Sequence, residues 1–155
     1  MRLKRNAAII ADDEYRALAE FRHQIRRFLH LGDQIARAVG IEPRQYELLL
    51  AIRGIPLAVE PTIGAIADQL RLRHHSAVEL VNRAEVNGLV SRFREGTRVF
   101  VQLTTKGERI VANAVTARIR QLRVDGPILV EALQQLIKPH ASRSNRKKLK
   151  SRRTA

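Results

Sequence analysis

The sequence predicts a mainly α-helical fold with one small β-hairpin. Three observations point there. Apolar residues recur every three or four positions along most of the chain, one short stretch between positions 89 and 103 turns β-rich with rough alternation, and Gly or Pro marks each change. The 155 residues suit one domain, or one protomer of a small oligomer, and can bury a moderate core.

Residues 1–11 are basic and then apolar, and read as an irregular N-terminal arm. Asp12, Asp13 and Glu14 then supply negative charge where a helix start favours it. From Tyr15 through Leu18, Phe21, Ile25, Phe28, Leu29 and Ile35 to Val39 the spacing predicts a long amphipathic helix, weakened at Gly32 and ending near Gly40. Pro43 sits well in the first turn of a second helix, with Tyr46, Leu49, Leu50 and Ile52 on its apolar side and Gly54 and Pro56 closing it. Val59–Pro61 is a connector with the makings of a minimal strand.

Thr62 opens a compact helix that buries Ile63, Ile66, Ala67 and Leu70. A break at Arg71–Arg73 separates it from a helix over His74–Asn87, which Gly88 stops. Leu89–Arg94 and Arg98–Leu103 read as strands joined by a turn at Glu95-Gly96-Thr97. Thr104 or Thr105 caps a further helix with Ile110, Val111, Ala114, Val115, Ile119 and Leu122 as its stripe. Asp125-Gly126-Pro127 is expected to break it, and a last apolar helix runs from Ile128 to Ile137.

Charge narrows the function classes. The chain holds 29 Lys and Arg against 15 Asp and Glu, a formal net charge of +14. Eight of the basic residues and no acid lie from Lys138 onward, a tail (138–155) too poor in apolar residues to fold alone. The body keeps 21 basic against 15 acidic residues, so both parts favour a polyanion, most often nucleic acid. There is no cysteine, which excludes disulfides, thiolate metal sites and thiol switches. No apolar run approaches the roughly 18–20 residues of a membrane span, and the N-terminus has no signal-peptide core, so a cytoplasmic protein without membrane contact is expected.

The block Thr62–Thr104 carries the functional signal. A short helix, a tight break and a second helix form a helix–turn–helix whose second helix can enter a major groove, and the hairpin behind it would be a wing. On that second helix Ala77, Leu80, Val81 and Ala84 face the core side. His75, Ser76, Glu79, Asn82, Arg83 and Val86 fall opposite. Arg83 suits guanine or a phosphate, Asn82 adenine and Glu79 cytosine. Ser76 near the helix start suits a phosphate. An ordinary solvated helix shows the same kind of face, and the wing tips the balance. Arg92, Arg94 and Arg98 gather three cations on one ribbon, with only Glu95 expected to oppose them. With Arg73, His74 and Thr97 beside them, these residues form the candidate DNA-binding set.

The run from Pro61 to Gly107 resembles the winged helix of MarR-type regulators (multiple antibiotic resistance regulator family). Ile66-Ala67, Leu70, Ser76-Ala77-Val78, Leu80-Val81, Arg83, Gly88-Leu89-Val90 and the Leu103-Thr104…Lys106-Gly107 close carry the likeness, and the flanking helices extend it over Asp12–Ile137. Arg71 stands at the usual turn glycine and Arg73 at the usual cap. Glu95-Gly96-Thr97-Arg98 replaces the family's Asp-x-Arg wing tip, and the basic tail lies outside the pattern.

The resemblance implies a homodimeric transcription regulator, mostly a repressor in this family, acting on double-stranded DNA. Residues 41–104 would form the winged helix-turn-helix DNA-binding region, and 12–40 with 105–137 the helical dimerisation region. Ile9, Ile10, Ile128, Leu129, Leu133 and Leu136 would contribute to the dimer. The strongly apolar last helix has few partners in so short a chain, although packing within the chain is the alternative. Many members release DNA on binding small, often phenolic or other aromatic effectors. His23, Arg27, Tyr46 and Arg53 are the polar candidates for such a pocket.

Other chemistry finds no constellation. Adjacent His74 and His75 point about 100° apart on a helix, which does not suit chelation of one ion, so no metal or other cofactor is expected. His23 and His30 share a face without a matching acid set. No phosphate loop, nucleophile elbow or carboxylate pair speaks for an enzyme. The reading is therefore a sequence-specific regulator. Its alternative is a sequence-tolerant architectural DNA- or RNA-binding protein driven by the basic tail.

Overall fold

The computed structural model describes residues 10–138; Ile9 and the tail beyond Lys138 lie outside them. Five helices and one hairpin follow in the order α1 (Asp12–Ala38), α2 (Pro43–Arg53), α3 (Ile63–Leu70), α4 (His74–Val86), β1 (Val90–Glu95), β2 (Arg98–Leu103) and α5 (Thr105–Ile137). The chain divides into two units. One contains residues 10–26 and 127–138, the other Arg27–Gly126.

In the unit Arg27–Gly126 the core forms where the apolar faces of short elements meet. Leu48 and Leu49 of α2, Ile66 of α3, Val81 of α4, Leu89, Val90 of β1 and Val101 of β2 are all fully enclosed. Each such side chain contributes about 1.5–3 kcal/mol on burial. Ala36 of α1 and Val111 and Ala114 of α5 close the cluster. On α2 the buried positions are Gln45, Tyr46, Leu48, Leu49 and Ile52, at helical spacing, together with Ala51. Leu50, expected on the apolar side, is instead 42% exposed. Three consecutive leucines cannot share one face, and Leu48 takes the core position instead.

Local chemistry sets the boundaries. Thr62 caps α3, its Oγ1 accepting from the Ala65 N–H at 3.2 Å. The α3 end turns through Arg71 in the left-handed region (φ 52°), while the Leu72 N–H returns to the Ala67 carbonyl at 2.9 Å. The expected minimal strand at Val59–Pro61 reduces to a bridge between Thr62 and Phe100, with the Val101 N–H donating to the Pro61 carbonyl. In the hairpin Val90 pairs with Leu103 and Glu95 with Arg98. That leaves a two-residue turn, Gly96-Thr97, with Gly96 at φ +59°.

The hairpin is tied to α5 at one junction. Thr104 Oγ1 donates to the Gly88 carbonyl at 2.7 Å and accepts from the Gly107 N–H at 3.0 Å, capping α5. A Cβ on Gly107 would lie 2.1 Å from the Leu89 carbonyl oxygen, so only glycine allows this approach.

The expected break at Asp125-Gly126-Pro127 does not occur: α5 runs unbroken to Ile137 with Pro127 inside it. Proline costs a helix interior about 3 kcal/mol by deleting one hydrogen bond and crowding the preceding turn. Two features offset that local preference. Leu122, Leu129, Ala132 and Leu136 keep helical spacing through the proline, and each is at least half-buried. Asp125, in the turn before, is held by Arg27 Nη2 at 3.0 Å.

In the other unit Gln24 and Ala132 are buried, and Phe21, Ile25, Leu129 and Leu136 are half-buried. Ile10, Tyr15, Leu18, Ile128, Val130, Leu133 and Ile137 are exposed apolar side chains.

Two glycines give contrasting expectations. Gly107→Ala should cost about 1–3 kcal/mol, because Leu89 backbone must move. Gly64→Ala in α3, where the new Cβ meets only Thr62 Oγ1 at an ordinary 3.9 Å, should stabilise by about 0.5–1 kcal/mol. Urea unfolding of the two variants beside the parent checks both; equal effects would contradict the close approach.

Candidate nucleic-acid interface

The helix–turn–helix pair α3–α4 is positioned by the core face of α4, where Ala77, Leu80, Val81 and Ala84 are buried. That burial fixes the opposite face outward. His75, Glu79, Asn82, Arg83 and Val86 are exposed there, and Ser76 is half-buried. Among the described residues, the side chains of His74, His75, Ser76, Glu79, Asn82 and Arg83 make no hydrogen bond or ion pair within the chain. Their donors and acceptors are open to an outside partner.

The start of α4 adds a second feature. Arg73 occupies the N-cap position without a capping hydrogen bond, and the first intrahelical return is the Ala77 N–H to the Arg73 carbonyl. The backbone N–H groups of the first turn therefore point out of the helix unfilled, at the positive end of its dipole. Arg71 and Arg73, both exposed, flank them. Such an end suits a phosphate oxygen.

The wing differs from expectation. Glu95 is not the only acid opposing its three arginines. Glu85 of α4 clamps Arg92, its Oε1 accepting the Arg92 N–H at 3.1 Å and its Oε2 accepting Nε at 3.0 Å and Nη2 at 2.5 Å. Glu60, in the α2–α3 connection, pairs with Arg98, which also lies 5.4 Å over the Phe100 ring. Phe100 in turn stacks on Phe93 at 5.2 Å. Arg94 and Thr97 remain exposed and free of such partners.

Of the four polar candidates for an effector pocket, Arg27, Tyr46 and Arg53 lie in the unit Arg27–Gly126. His23 is exposed, in the unit with residues 10–26. Arg27 pairs with Asp125, and Arg53 Nε lies 3.3 Å from Glu108 Oε2. Tyr46 is buried, which raises its phenol above the ordinary range, while the positive charge of Arg118 opposes the rise. Arg118 itself was not singled out from sequence. It is 8% exposed, donates to the Phe28 carbonyl and to Gln121 Oε1, both at 2.5 Å, and lies 4.1 Å over the Phe28 ring. A signal existed: Val111, Ala114 and Arg118 share one helical stripe, so position 118 falls on the buried side. Gly32 of α1 leaves room there, the nearest neighbours of a Cβ at that position being Arg118 guanidinium atoms at 3.8 Å.

Of the expected dimer residues, Ile10, Ile128 and Leu133 are exposed and Leu129 and Leu136 half-buried. Among the described residues no group of three or more His, Asp or Glu is placed to hold a metal ion, and no helix is long and apolar enough to cross a membrane.

No protein-family model and no curated protein matches the chain in sequence. Solved structures do match. A MarR family protein from Bacillus stearothermophilus is 25% identical, with TM-score 0.59 and 90% of each chain covered. AbsC, a MarR family transcriptional regulator from Streptomyces coelicolor, is 17% identical with TM-score 0.69 over 92% of this chain and 97% of its own. A MepR variant from Staphylococcus aureus, bound to an oligodeoxyribonucleotide, is 19% identical with TM-score 0.57 over 89% and 91%. The chain has the winged helix-turn-helix fold of MarR family transcriptional regulators.

The Glu85–Arg92 clamp makes a pH expectation. Hydrogen bonds from Arg92 hold the Glu85 carboxyl below its ordinary 4.5. A carboxylate lowered on folding stabilises above its unfolded value, and loses that contribution as pH falls through the lowered one. The stability gap between the parent and Glu85→Gln should be constant from neutral pH down to about 5 and close in more acid solution. Denaturant melts across that range check it, and a gap independent of pH would remove the clamp.

Proposed function

We propose that this chain is a DNA-binding transcription regulator of the MarR type. It binds a near-palindromic operator on double-stranded DNA as a homodimer and acts as a repressor in the cytoplasm. One observation carries the reading: the outward face of α4 offers six polar side chains without internal partners, beginning at an uncapped helix N-terminus. A surface of that kind suits base edges and phosphates together. The fold shared with MarR family regulators supports it, as does the oligonucleotide bound to the MepR variant.

In this reading Arg83 and Asn82 face base edges, while Arg71, Arg73 and Ser76 face phosphates. The exposed apolar residues Ile10, Tyr15, Leu18, Ile128, Leu133 and Ile137 meet a second copy. Two copies set their α4 helices about 34–36 Å apart, one DNA turn, which is why the operator is near-palindromic. Release by a small phenolic or other aromatic effector completes the proposed cycle, and the chain carries out no catalysis.

One observation favours the alternative, a sequence-tolerant architectural protein. Arg92 and Arg98 are neutralised by Glu85 and Glu60, which shifts polyanion attraction from the wing towards the basic tail. Selection of random genomic fragments at about 150–200 mM salt separates the two readings, because non-specific contacts weaken there. A retained near-palindrome supports the regulator; uniform retention, or none, overturns it.

Two variants sharpen this. Arg83→Ala should reduce discrimination between operator and unrelated DNA by about 1–3 kcal/mol if Arg83 reads a base, and weaken all sequences alike if it holds a phosphate. Deleting Lys138–Ala155 should flatten the salt dependence by about 0.9 per lost phosphate contact and preserve sequence preference. An unchanged slope would remove the tail from the interface.

A further inference from the structure

The first turn of α2 and the last turn of α4 border a groove with two adjoining hollows of about 540 and 410 Å³, which share Gln45, Val86 and Asn87. That is the size of small-molecule sites, roughly 300–1,000 Å³. The apolar wall is aliphatic, with Leu80, Val86, Ile41 and Ile110, and no aromatic ring lines either hollow. Val86 is 87% exposed, an apolar side chain standing at the opening.

Gln45 sets this groove apart. It is only 6% exposed, yet its amide has no hydrogen-bond partner among the described residues. No sealed side-chain nitrogen or oxygen among those residues lacks a partner, so the Gln45 amide must reach the open space that it lines. The side chain is thus packed up to its amide, which keeps its donor and acceptor free at the groove surface for a ligand to meet.

The surrounding charge is positive. Glu42 at the N-cap of α2 makes no side-chain cap and Pro43 has no N–H, so the Arg44 and Gln45 backbone donors stand unfilled at the positive helix end. Arg83 and Lys106 line the hollows, with Glu42 as the one acid among the lining residues. Arg44 is already matched by Glu47 at 2.8 Å, whereas Arg83 has no ion-pair partner among the described residues.

We propose that this groove is a binding site for a small aliphatic monocarboxylate. Gln45 Nε2 donates to the carboxylate, Arg83 balances its charge, and the aliphatic chain lies against Leu80 and Val86. Because Arg83 also stands on the outward face of α4, the ligand competes with DNA for it; that consequence alone rests on the DNA-binding reading.

The test is a titration of the full chain, without DNA, with hexanoate. It is followed by ¹H–¹⁵N NMR at the Gln45 side-chain amide and the Val86 and Asn87 backbone. A saturable shift with a dissociation constant on the order of 1 mM is expected for a ligand of this size. Hexanamide, the neutral counterpart, should bind at least about tenfold more weakly, as should the chain carrying Gln45→Glu. Gln45→Glu suits the first turn of a helix, and a thermal melt confirms that it folds. No shift at about 20 mM hexanoate, or equal binding by Gln45→Glu, overturns the site. So does a shift caused by duplex DNA and not by hexanoate, which would make the groove a backbone-phosphate contact. Failure here leaves the regulator reading standing, and a chain that bound no DNA could still pass this test.

Discussion

The close approach of Gly107 to the Leu89 carbonyl is the constraint on which the winged helix-turn-helix architecture depends. Within a few residues it joins the end of α4, the start of β1, the end of β2 and the start of α5. Thr104 bridges the same point, donating to Gly88 and capping α5, while its own N–H reaches the Leu89 carbonyl at 3.1 Å. Lys106 Nζ adds a bond to the Asn87 carbonyl at 2.9 Å. With helix, hairpin and α5 pinned there, the outward face of α4 and the wing keep a fixed mutual orientation. In the proposed reading these groups meet one rigid duplex, and need that orientation before they meet it.

Electrostatics then sets the helix face apart from the wing. The helix face is left open, while the wing is largely matched internally: Arg92 by Glu85, Arg98 by Glu60 and the Phe100 ring. Exposed ion pairs of this kind contribute about 1 kcal/mol or less to stability. Their larger effect is on shape, since they hold both arginine side chains against the protein. A stacked Phe93–Phe100 pair gives the ribbon further stiffness. The wing is therefore built as a braced rib, with Arg94 as its free cation among the described residues.

Much of this was legible in the sequence because it rests on local chemistry. Thr62 as a cap, Gly88 as a stop, Pro43 in a first turn and the two faces of α4 each follow from a few adjacent residues. What escaped depends on residues far apart. Glu60 lies 38 positions from Arg98, and Phe28 lies 90 from Arg118, so no periodicity links them. Pro127 misled for the opposite reason: a strong local signal was overridden by apolar spacing continuing on both sides and by an ion pair from α1. Leu50 failed because three leucines in a row carry no phase. Gln45 left no trace, since an unmatched amide is visible only once its surroundings are built.

Arg71 has a consequence for how such a sequence can change. It holds a left-handed backbone that an arginine adopts at a cost of roughly 1 kcal/mol, and that glycine adopts freely. Drift under selection for stability alone would move this position towards glycine or asparagine. What the arginine adds there is an outward charge, since the turn itself gains nothing from it. A redesign that relaxed the turn by placing glycine at position 71 would therefore also remove a cation from the edge of the proposed interface.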